Sequence, residues 1–269
     1  MAYNLLKGKR GIITGALDEN SIAWKVAMKS HEEGATFVLT NAPIAMRMGE
    51  ISKLAEVTGS KIIPADATSV EDLEKLYKES MEHLGGKIDF VLHSIGMSIN
   101  IRKNIPYTEL NYEFFQKGID VSALTLHKML AVAHKLDALN EYASVVALTY
   151  IAAQKVYPFY TDMADIKSML ESIARTFGYH YGKSKKVRIN TVSQSPTKTT
   201  AGGGIKGFHE FYEFAAMQSP LGNASAEDCA NYCVTLFSDL TRMVTMQNLY
   251  HDGGYSSTGV SQEQLAALK

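Results

Sequence analysis

The amino-acid sequence predicts a single α/β domain built on a seven-stranded parallel sheet with helices on both faces. Short apolar runs alternate along the chain with longer segments of helical spacing, as in chains that cross from one parallel strand to the next through a helix. The run from Ile88 to Ile95 is almost continuously apolar, which is typical of a strand buried on both faces. A length of 269 residues suits one such domain.

The strands and helices follow one another in regular order. Strands are predicted at 11–14, 36–40, 61–64, 88–95, 144–149, 187–193 and 247–251. Helices are predicted between the first strand and Gly34, and then at 45–57, 70–84, 111–136, 160–181 and 226–236. In the 160–181 helix, the expected core-facing stripe is Ile166, Met169, Leu170, Ile173 and Phe177. Right-handed crossovers then give a doubly wound (Rossmann) sheet.

Composition excludes several classes of function. With 46% hydrophobic and 20% charged residues and a net charge of −1, the chain has no charge excess suited to nucleic acid or to a membrane surface. The two cysteines, Cys229 and Cys233, are interpreted as small apolar residues on one helix face, and the scattered histidines predict no metal site. Without a secretory segment or a disulfide framework, a cytoplasmic enzyme is expected.

Groups suited to a dinucleotide follow four successive strands. Gly15 ends the first strand and Ser21-Ile22-Ala23 opens the helix after it, so backbone N–H groups could face a pyrophosphate. Asp66 and Ala67 follow the third strand, Ser94-Ile95-Gly96 the fourth, and Pro196 to Thr199 the sixth. Because ligands of such sheets bind beyond the carboxyl ends of the strands, these segments together predict a dinucleotide site.

The catalytic candidates surround the start of the 160–181 helix. Tyr160 and Lys167 are about two helical turns apart and therefore share one face, while Tyr150 ends the preceding strand. The phenol can donate a hydrogen bond to a developing oxyanion. The lysine is expected to hold the cofactor and to lower the pKa of the phenol.

The cofactor choice depends on the end of the second strand, which reads Thr40-Asn41-Ala42-Pro43. It offers no acid for a ribose 2′-hydroxyl and no adjacent cation for a 2′-phosphate, since Arg47 comes four residues later. The missing cation favours NADH, with NADPH left open.

The sequence resembles the enoyl-acyl-carrier-protein reductases, the bacterial NADH-dependent type within the short-chain dehydrogenase/reductase superfamily. The resemblance runs from about Leu6 to Tyr255 and depends most on the Tyr-x6-Lys pair, the tyrosine ten residues before it, and the Gly-x5-Ser-Ile-Ala turn. It departs from the family pattern at Ala42, where a polar side chain usually reaches the adenine ribose.

The resemblance implies the last reductive step of fatty-acid elongation, with an acyl-carrier-protein thioester as substrate and a homotetrameric enzyme. It implies Tyr150, Tyr160 and Lys167 as catalytic residues, with Ser98, Tyr150 and Tyr160 at the substrate. The implied cofactor contacts are Gly15, Ser21, Ile22, Asp66, Ala67, Ile95, Lys167, Thr197, Lys198, Thr199, Thr200 and Ala201.

Two rival functions are left open, and one segment is predicted to be a mobile lid. Tyr179 and Lys183 have the Tyr-x3-Lys spacing of carbonyl (ketoacyl) reductases, but they lie late in their helix and are interpreted as surface residues. A non-catalytic dinucleotide-sensing protein is the other rival. The segment at about 197–218, in which glycines precede aromatic residues, is predicted to form a lid over the acyl chain.

Overall fold

A seven-stranded parallel sheet forms the centre of the computed structural model, which describes residues 2–46, 50–200, 202–204 and 207–266. The strand order is β3-β2-β1-β4-β5-β6-β7, so the sheet grows in opposite directions from the β1/β4 pair. The strands are β1 (Arg10–Thr14), β2 (Thr36–Thr40), β3 (Lys61–Ile62), β4 (Ile88–His93), β5 (Leu139–Thr149), β6 (Arg188–Gln194) and β7 (Asn248–His251).

Helices cover both faces of this sheet. They are α1 (Ile22–Glu32), α2 (Pro43–Met46), α3 (Ile51–Thr58), α4 (Val70–Leu84), α5 (Ile99–Arg102), α6 (Tyr112–Ile119), α7 (Thr125–Lys135), α8 (Thr161–Lys185), α9 (Phe208–Gln218), α10 (Ala226–Phe237) and α11 (Gln262–Ala266). One core joins the sheet to α4, α7 and α8, and a second core joins its other face to α1, α3 and α10. The predicted doubly wound α/β domain is therefore confirmed.

Alternation along the strands supplies the two cores. In β1, Ile12 belongs to the core on the α8 side, whereas the next residue, Ile13, belongs to the core on the α1 side. Successive strand side chains point to opposite faces, so each strand needs apolar residues at nearly every position. Gly11 is the exception, because a Cβ there would lie 2.1 Å from the ring of Phe90, which stacks on Phe237 with ring centroids 4.6 Å apart.

Several predicted boundaries were wrong. The 111–136 helix contains a π-helical turn at 120–124, between α6 and α7, and the 45–57 helix is divided into α2 and α3, with 47–49 outside the described residues. β4 ends at His93 rather than at residue 95. Met169 is 39% exposed, whereas Ile166 and Leu170 are fully buried, because the face of α8 that meets the sheet is narrower than its apolar stripe.

Side-chain hydrogen bonds fix the carboxyl end of the β1/β4 pair. The hydroxyl of Thr14 donates to the Leu92 carbonyl at 3.0 Å and accepts from the Ser94 N–H at 3.1 Å. This is the point where the strand order reverses, and open α/β sheets bind ligands at such a point. No described helix is long and apolar enough to cross a membrane.

Candidate active site

Tyr150 and Tyr160 lie against each other at the carboxyl end of β5. Tyr150 follows the last residue of β5 and Tyr160 immediately precedes α8, and their ring centroids are 5.0 Å apart. The Tyr150 hydroxyl is buried and has no hydrogen-bond partner among the described residues. A buried donor without a partner is costly, so this hydroxyl is suited to a ligand that brings an acceptor.

Lys167 places its ammonium group at the same edge of the sheet. Its side chain is 7% exposed, and its Nζ donates to the Leu148 carbonyl of β5 at 2.7 Å. A Cβ on Gly96, after β4, would lie 3.8 Å from this Nζ. Burial lowers the pKa of Lys167 to about 8, against a smaller opposing effect of Glu171.

The expected lowering of the phenol pKa by Lys167 is wrong. Burial raises the pKa of Tyr160 well above its usual value, since Tyr160 packs against the apolar core that includes Ile166. Burial also raises the pKa of Tyr150, and the neighbouring phenols add to it. Both phenols are therefore neutral hydrogen-bond donors at neutral pH.

Ser98 is 6% exposed, and its hydroxyl donates to Asp162 Oδ1 at 2.7 Å. The hydroxyl oxygen of Ser98 in turn accepts the Ile101 N–H in the first turn of α5. Asp162 is fully buried, and it also accepts from the amide of Asn100 at 2.8 Å and from the hydroxyl of Thr161 at 3.0 Å. Ser98 thus holds the segment after β4 against the start of α8.

The turn after β1 brings the first cofactor candidates to the β1/β4 edge. Gly15 has φ +82°, and a Cβ there would lie 1.9 Å from the Ser94 carbonyl oxygen, so only glycine fits. Ser21 caps α1 by accepting the Trp24 N–H, and its hydroxyl donates to the Asp18 carbonyl at 2.7 Å. The N–H of Ile22 donates to no acceptor among the described residues, and it remains available to a phosphate.

Asp66 and Ala67 lie beyond β3, and Ile95 lies half-buried beyond β4. Asp66 Oδ1 accepts from the N–H and the hydroxyl of Thr68 at 2.9 and 2.7 Å, and these bonds lower its pKa. The Asp66 N–H donates to Asp72 Oδ2 at 2.9 Å. A carboxylate held ionised in this way remains able to accept from an amino group.

The loop after β6 carries the remaining cofactor candidates. Thr197 donates to the Ser195 carbonyl at 2.9 Å, Thr199 accepts the Gly202 N–H at 3.0 Å, and Lys198 lies over the ring of Tyr212. The loop also borders a cavity of about 200 Å³ at the start of α1.

Thr200 joins this loop to the turn after β1 by donating to Asp18 Oδ2 at 2.6 Å. Two predicted cofactor segments are thereby brought together. Ala201 lies outside the described residues.

The polar side chain that follows β2, that of Asn41, forms hydrogen bonds with the neighbouring backbone. The Asn41 amide donates to the Ala16 carbonyl at 3.2 Å, and its oxygen accepts the Ala42 N–H at 2.9 Å. Both ends of this amide are engaged, and Arg47 lies outside the described residues.

Helix α9 places an aromatic side chain against Tyr150 and Tyr157 near the carboxyl end of β5. The ring of Phe211 packs edge-on against Tyr157 at 5.3 Å and against Tyr150 at 6.1 Å between centroids. Ala215 of the same helix is fully buried beside Ile151. The other predicted lid residues include Phe214 and Met217, which are exposed.

Sequence reasoning missed Tyr157, Tyr255 and Glu171. The hydroxyl of Tyr157 donates to that of Tyr255 at 2.8 Å, although the two residues are far apart in the chain. Glu171 follows Lys167 by one turn, a spacing that on most helices marks an exposed ion pair. The position of Glu171 next to Leu170, which belongs to the buried stripe of this helix, was the signal that could have predicted its burial. Tyr179, the alternative phenol, is 54% exposed, which agrees with the surface position predicted for it.

The described residues fit a dinucleotide. Gly15 lets the turn after β1 approach the backbone of Ser94 closely, and the N–H of Ile22 at the start of α1 has no acceptor among the described residues. Lys167 provides a buried cation and Tyr150 a buried unpartnered hydroxyl. Among the described side chains, no cluster of three or more His, Cys, Asp or Glu could hold a metal ion.

Comparison with known proteins identifies relatives along almost the whole chain. The family model for enoyl-(acyl carrier protein) reductase matches residues 15–256. Enoyl-[acyl-carrier-protein] reductase [NADH] 1 of Rhizobium meliloti is 32% identical, over 96% of this chain and 94% of the relative. The NADH-type FabI reductase of Aquifex aeolicus is 33% identical, over 95% of this chain and 94% of the relative.

Solved structures show the same similarity. The crystal structure of a FabI–NADH complex from Alistipes finegoldii is 62% identical, with a TM-score of 0.95, and the match covers 96% of this chain and 92% of that one. A second FabI structure from Alistipes finegoldii is 58% identical, with a TM-score of 0.94, over 99% of this chain and 97% of that one.

Proposed function

The chain belongs to the enoyl-acyl-carrier-protein reductase family, and we propose that Tyr150, Tyr160 and Lys167 carry its reaction. The enzyme reduces the 2,3 double bond of trans-2-enoyl-acyl-carrier-protein thioesters with NADH, the last reductive step of fatty-acid elongation. One observation carries the assignment of residues: two neutral phenols and a buried ammonium lie at the carboxyl end of β5, beside the β1/β4 edge.

In the proposed mechanism, bound NADH supplies a hydride to the β-carbon of the substrate. Tyr160 donates a hydrogen bond to the thioester oxygen, where negative charge develops. Because burial raises its pKa, Tyr160 keeps its own proton, and the α-carbon is protonated from water or a relay. Lys167 would hold the nicotinamide ribose, and Tyr150 would orient the thioester with its buried hydroxyl.

Further cofactor contacts are proposed from Gly15, Ser21 and Ile22 at the first turn, and from Thr197 to Ala201 after β6. Asp66, Ala67 and Ile95 would contact the adenine end. Ser98 would line the acyl site through its backbone, because its hydroxyl is engaged by Asp162.

The reaction class follows from where the phenol lies. A ketone takes hydride at the carbon that bears its oxygen, whereas an enoyl thioester takes hydride at the β-carbon and develops charge further away. A phenol two turns before the lysine suits the more distant oxygen. A carbonyl reductase using Tyr179 and Lys183 is disfavoured because Tyr179 is exposed on α8.

A single assay separates the rival functions. Loss of NADH or NADPH absorbance is followed with crotonyl and acetoacetyl thioesters as substrates. We expect oxidation of NADH with the crotonyl thioester. Oxidation with the acetoacetyl thioester alone would support a carbonyl reductase, and cofactor binding without turnover would support a sensing protein.

The segment at about 197–218 is proposed to close over the acyl chain. The proposal is supported by the contact of Phe211 with Tyr150 and Tyr157. It is also supported by Gly207, the residue before α9, which has a φ of +74°. Limited proteolysis tests this lid. Cleavage between 197 and 218 should slow when NADH and a non-reactive acyl thioester are added, and unchanged cleavage would refute closure.

The substrate partner is an acyl carrier protein that bears the enoyl chain. We further propose that the enzyme works in the cytoplasm as a homotetramer, which family membership supports. Light scattering on the purified protein measures the assembly, and a monomeric mass would refute it.

A further inference from the structure

Glu171 is a buried carboxylate at the carboxyl end of β5. It is 4% exposed. Its Oε1 accepts the Thr149 hydroxyl at 2.9 Å, and its Oε2 accepts the Gln154 amide at 3.1 Å. Both donors are neutral, so the negative charge of Glu171 is not cancelled by its hydrogen-bond partners. Buried acids are rare without a positive partner.

Two basic residues lie one turn from Glu171 on the same helix, Arg175 after it and Lys167 before it. Arg175 is exposed, so the buried positive group beside Glu171 is that of Lys167. Its ammonium is bonded to the Leu148 carbonyl, while both oxygens of Glu171 are bonded elsewhere. The two charges therefore act on each other through space rather than through a hydrogen bond. Such an interaction is strong where water is largely excluded.

Two further titratable groups near this pair, His93 and Tyr250, are neutral at neutral pH, and Asp252 also acts on Tyr250. On the β4 side of Lys167 lies His93, whose pKa burial lowers to about 3, with a further effect of Lys167. On the β7 side of Glu171 lies Tyr250, whose hydroxyl donates to Gln154 and whose pKa is raised by burial and by Glu171. Glu171 is thus the acidic group that offsets the desolvation of Lys167.

We propose that Glu171 is a positioning residue that keeps Lys167 charged for cofactor binding and fixes the backbone on either side of Tyr150. The inference rests on the proposed function, since it assumes that the Lys167 ammonium binds the nicotinamide ribose. Its second part follows from the hydrogen bonds, because Thr149 and Gln154 flank Tyr150 in sequence and both donate to the same carboxylate.

The experiment measures NADH affinity as a function of pH, through quenching of the chain's single tryptophan, Trp24, which lies in the first turn of α1. In the unaltered enzyme, affinity should fall as pH rises through the region around 8, where Lys167 loses its proton. In Glu171→Gln the fall should begin about one pH unit lower, because the charge that favours the ammonium is gone.

Gln154→Ala is the matched control. It removes a hydrogen bond to Glu171 without removing the charge of Glu171. The pH at which NADH affinity is half lost should therefore be the same as in the unaltered enzyme. An unshifted midpoint in Glu171→Gln, or an equal shift in Gln154→Ala, would overturn the inference. If Glu171→Gln does not fold, Glu171→Asp is tested instead, because it keeps the negative charge but moves it one methylene away from Lys167. It should shift the midpoint downward by less, and no shift would overturn the inference.

Lys167→Met separates this inference from the function on which it rests. Its affinity for NADH should be weak and independent of pH between 7 and 9. If Lys167→Met binds NADH like the unaltered enzyme, the role proposed for Lys167 fails, and the inference fails with it. If Lys167→Met binds weakly and Glu171→Gln is unshifted, the role of Lys167 stands and only the role of Glu171 is overturned.

Discussion

Replacing Tyr160 by phenylalanine removes one hydroxyl from the edge of the site and leaves the packing in place. The ring of Tyr160 lies against the core around Ile166 and against the ring of Tyr150. Phenylalanine fills the same volume and keeps these contacts. The fold and the affinity for NADH should therefore be retained, and any loss should fall on the chemical step.

The size of that loss follows from what the hydroxyl does. Tyr160 is a neutral donor in a desolvated setting, and removal of one donor to a developing oxyanion costs about 3 kcal/mol, or roughly 100-fold in kcat. Because the pKa of Tyr160 is raised, the ratio of the two rates should not change between pH 6 and 8.

The assay is the initial rate of NADH oxidation with crotonyl thioester at saturating cofactor, together with NADH affinity measured by fluorescence. Tyr179→Phe is the matched control, since the same hydroxyl is removed from an exposed position on the same helix. We expect the rate of that control to be within twofold of the unaltered enzyme. Nearly full turnover in Tyr160→Phe would refute the role given to Tyr160, whereas lost NADH binding would show that the substitution disturbs the site.

Three further predictions concern buried groups at the same edge. Tyr150→Phe removes a buried hydroxyl that has no partner among the described residues. The free energy of unfolding, measured by urea denaturation, should therefore stay equal or rise by up to about 1 kcal/mol, while KM for the thioester rises. A clear loss of stability would contradict this reasoning. Gly15→Ala places a Cβ 1.9 Å from the Ser94 carbonyl oxygen, at a residue with φ +82°. This substitution should lower the free energy of unfolding by at least about 2 kcal/mol and abolish NADH binding. The control Gly259→Ala, which has open space around its Cβ, should change neither stability nor binding. Burial lowers the pKa of His93 to about 3, so below about pH 6.5 this histidine takes up a proton in the unfolded chain but not in the folded one. The free energy of unfolding therefore falls as pH falls below about 6.5, by about 2 kcal/mol at pH 5. If a His93→Gln variant showed the same pH dependence of stability, this cause would be excluded.

The fold was largely predictable because its signal is local and repeated. Apolar runs such as that of β4 and helical spacing such as that of α8 recur along the chain, and parallel strands with crossovers allow few other arrangements. The misplaced boundaries lie where local pattern carries no information. The π-helical turn at 120–124 lies between two α-helices and is not marked by any glycine or proline. Met169 is exposed because α8 meets the sheet along a face narrower than its apolar stripe.

By itself the sequence determined the doubly wound sheet, the residues at the carboxyl ends of its strands, and the pair formed by Tyr160 and Lys167. These follow from spacing within single segments. Only the tertiary structure decided the electrostatics: the pKa of the Tyr160 phenol is raised rather than lowered, because the residue is buried against the core. The structure alone also placed the Tyr150 hydroxyl without a partner and the Glu171 carboxylate beside Thr149. Burial and hydrogen-bond partners depend on which segments pack together, and that information lies outside any one segment.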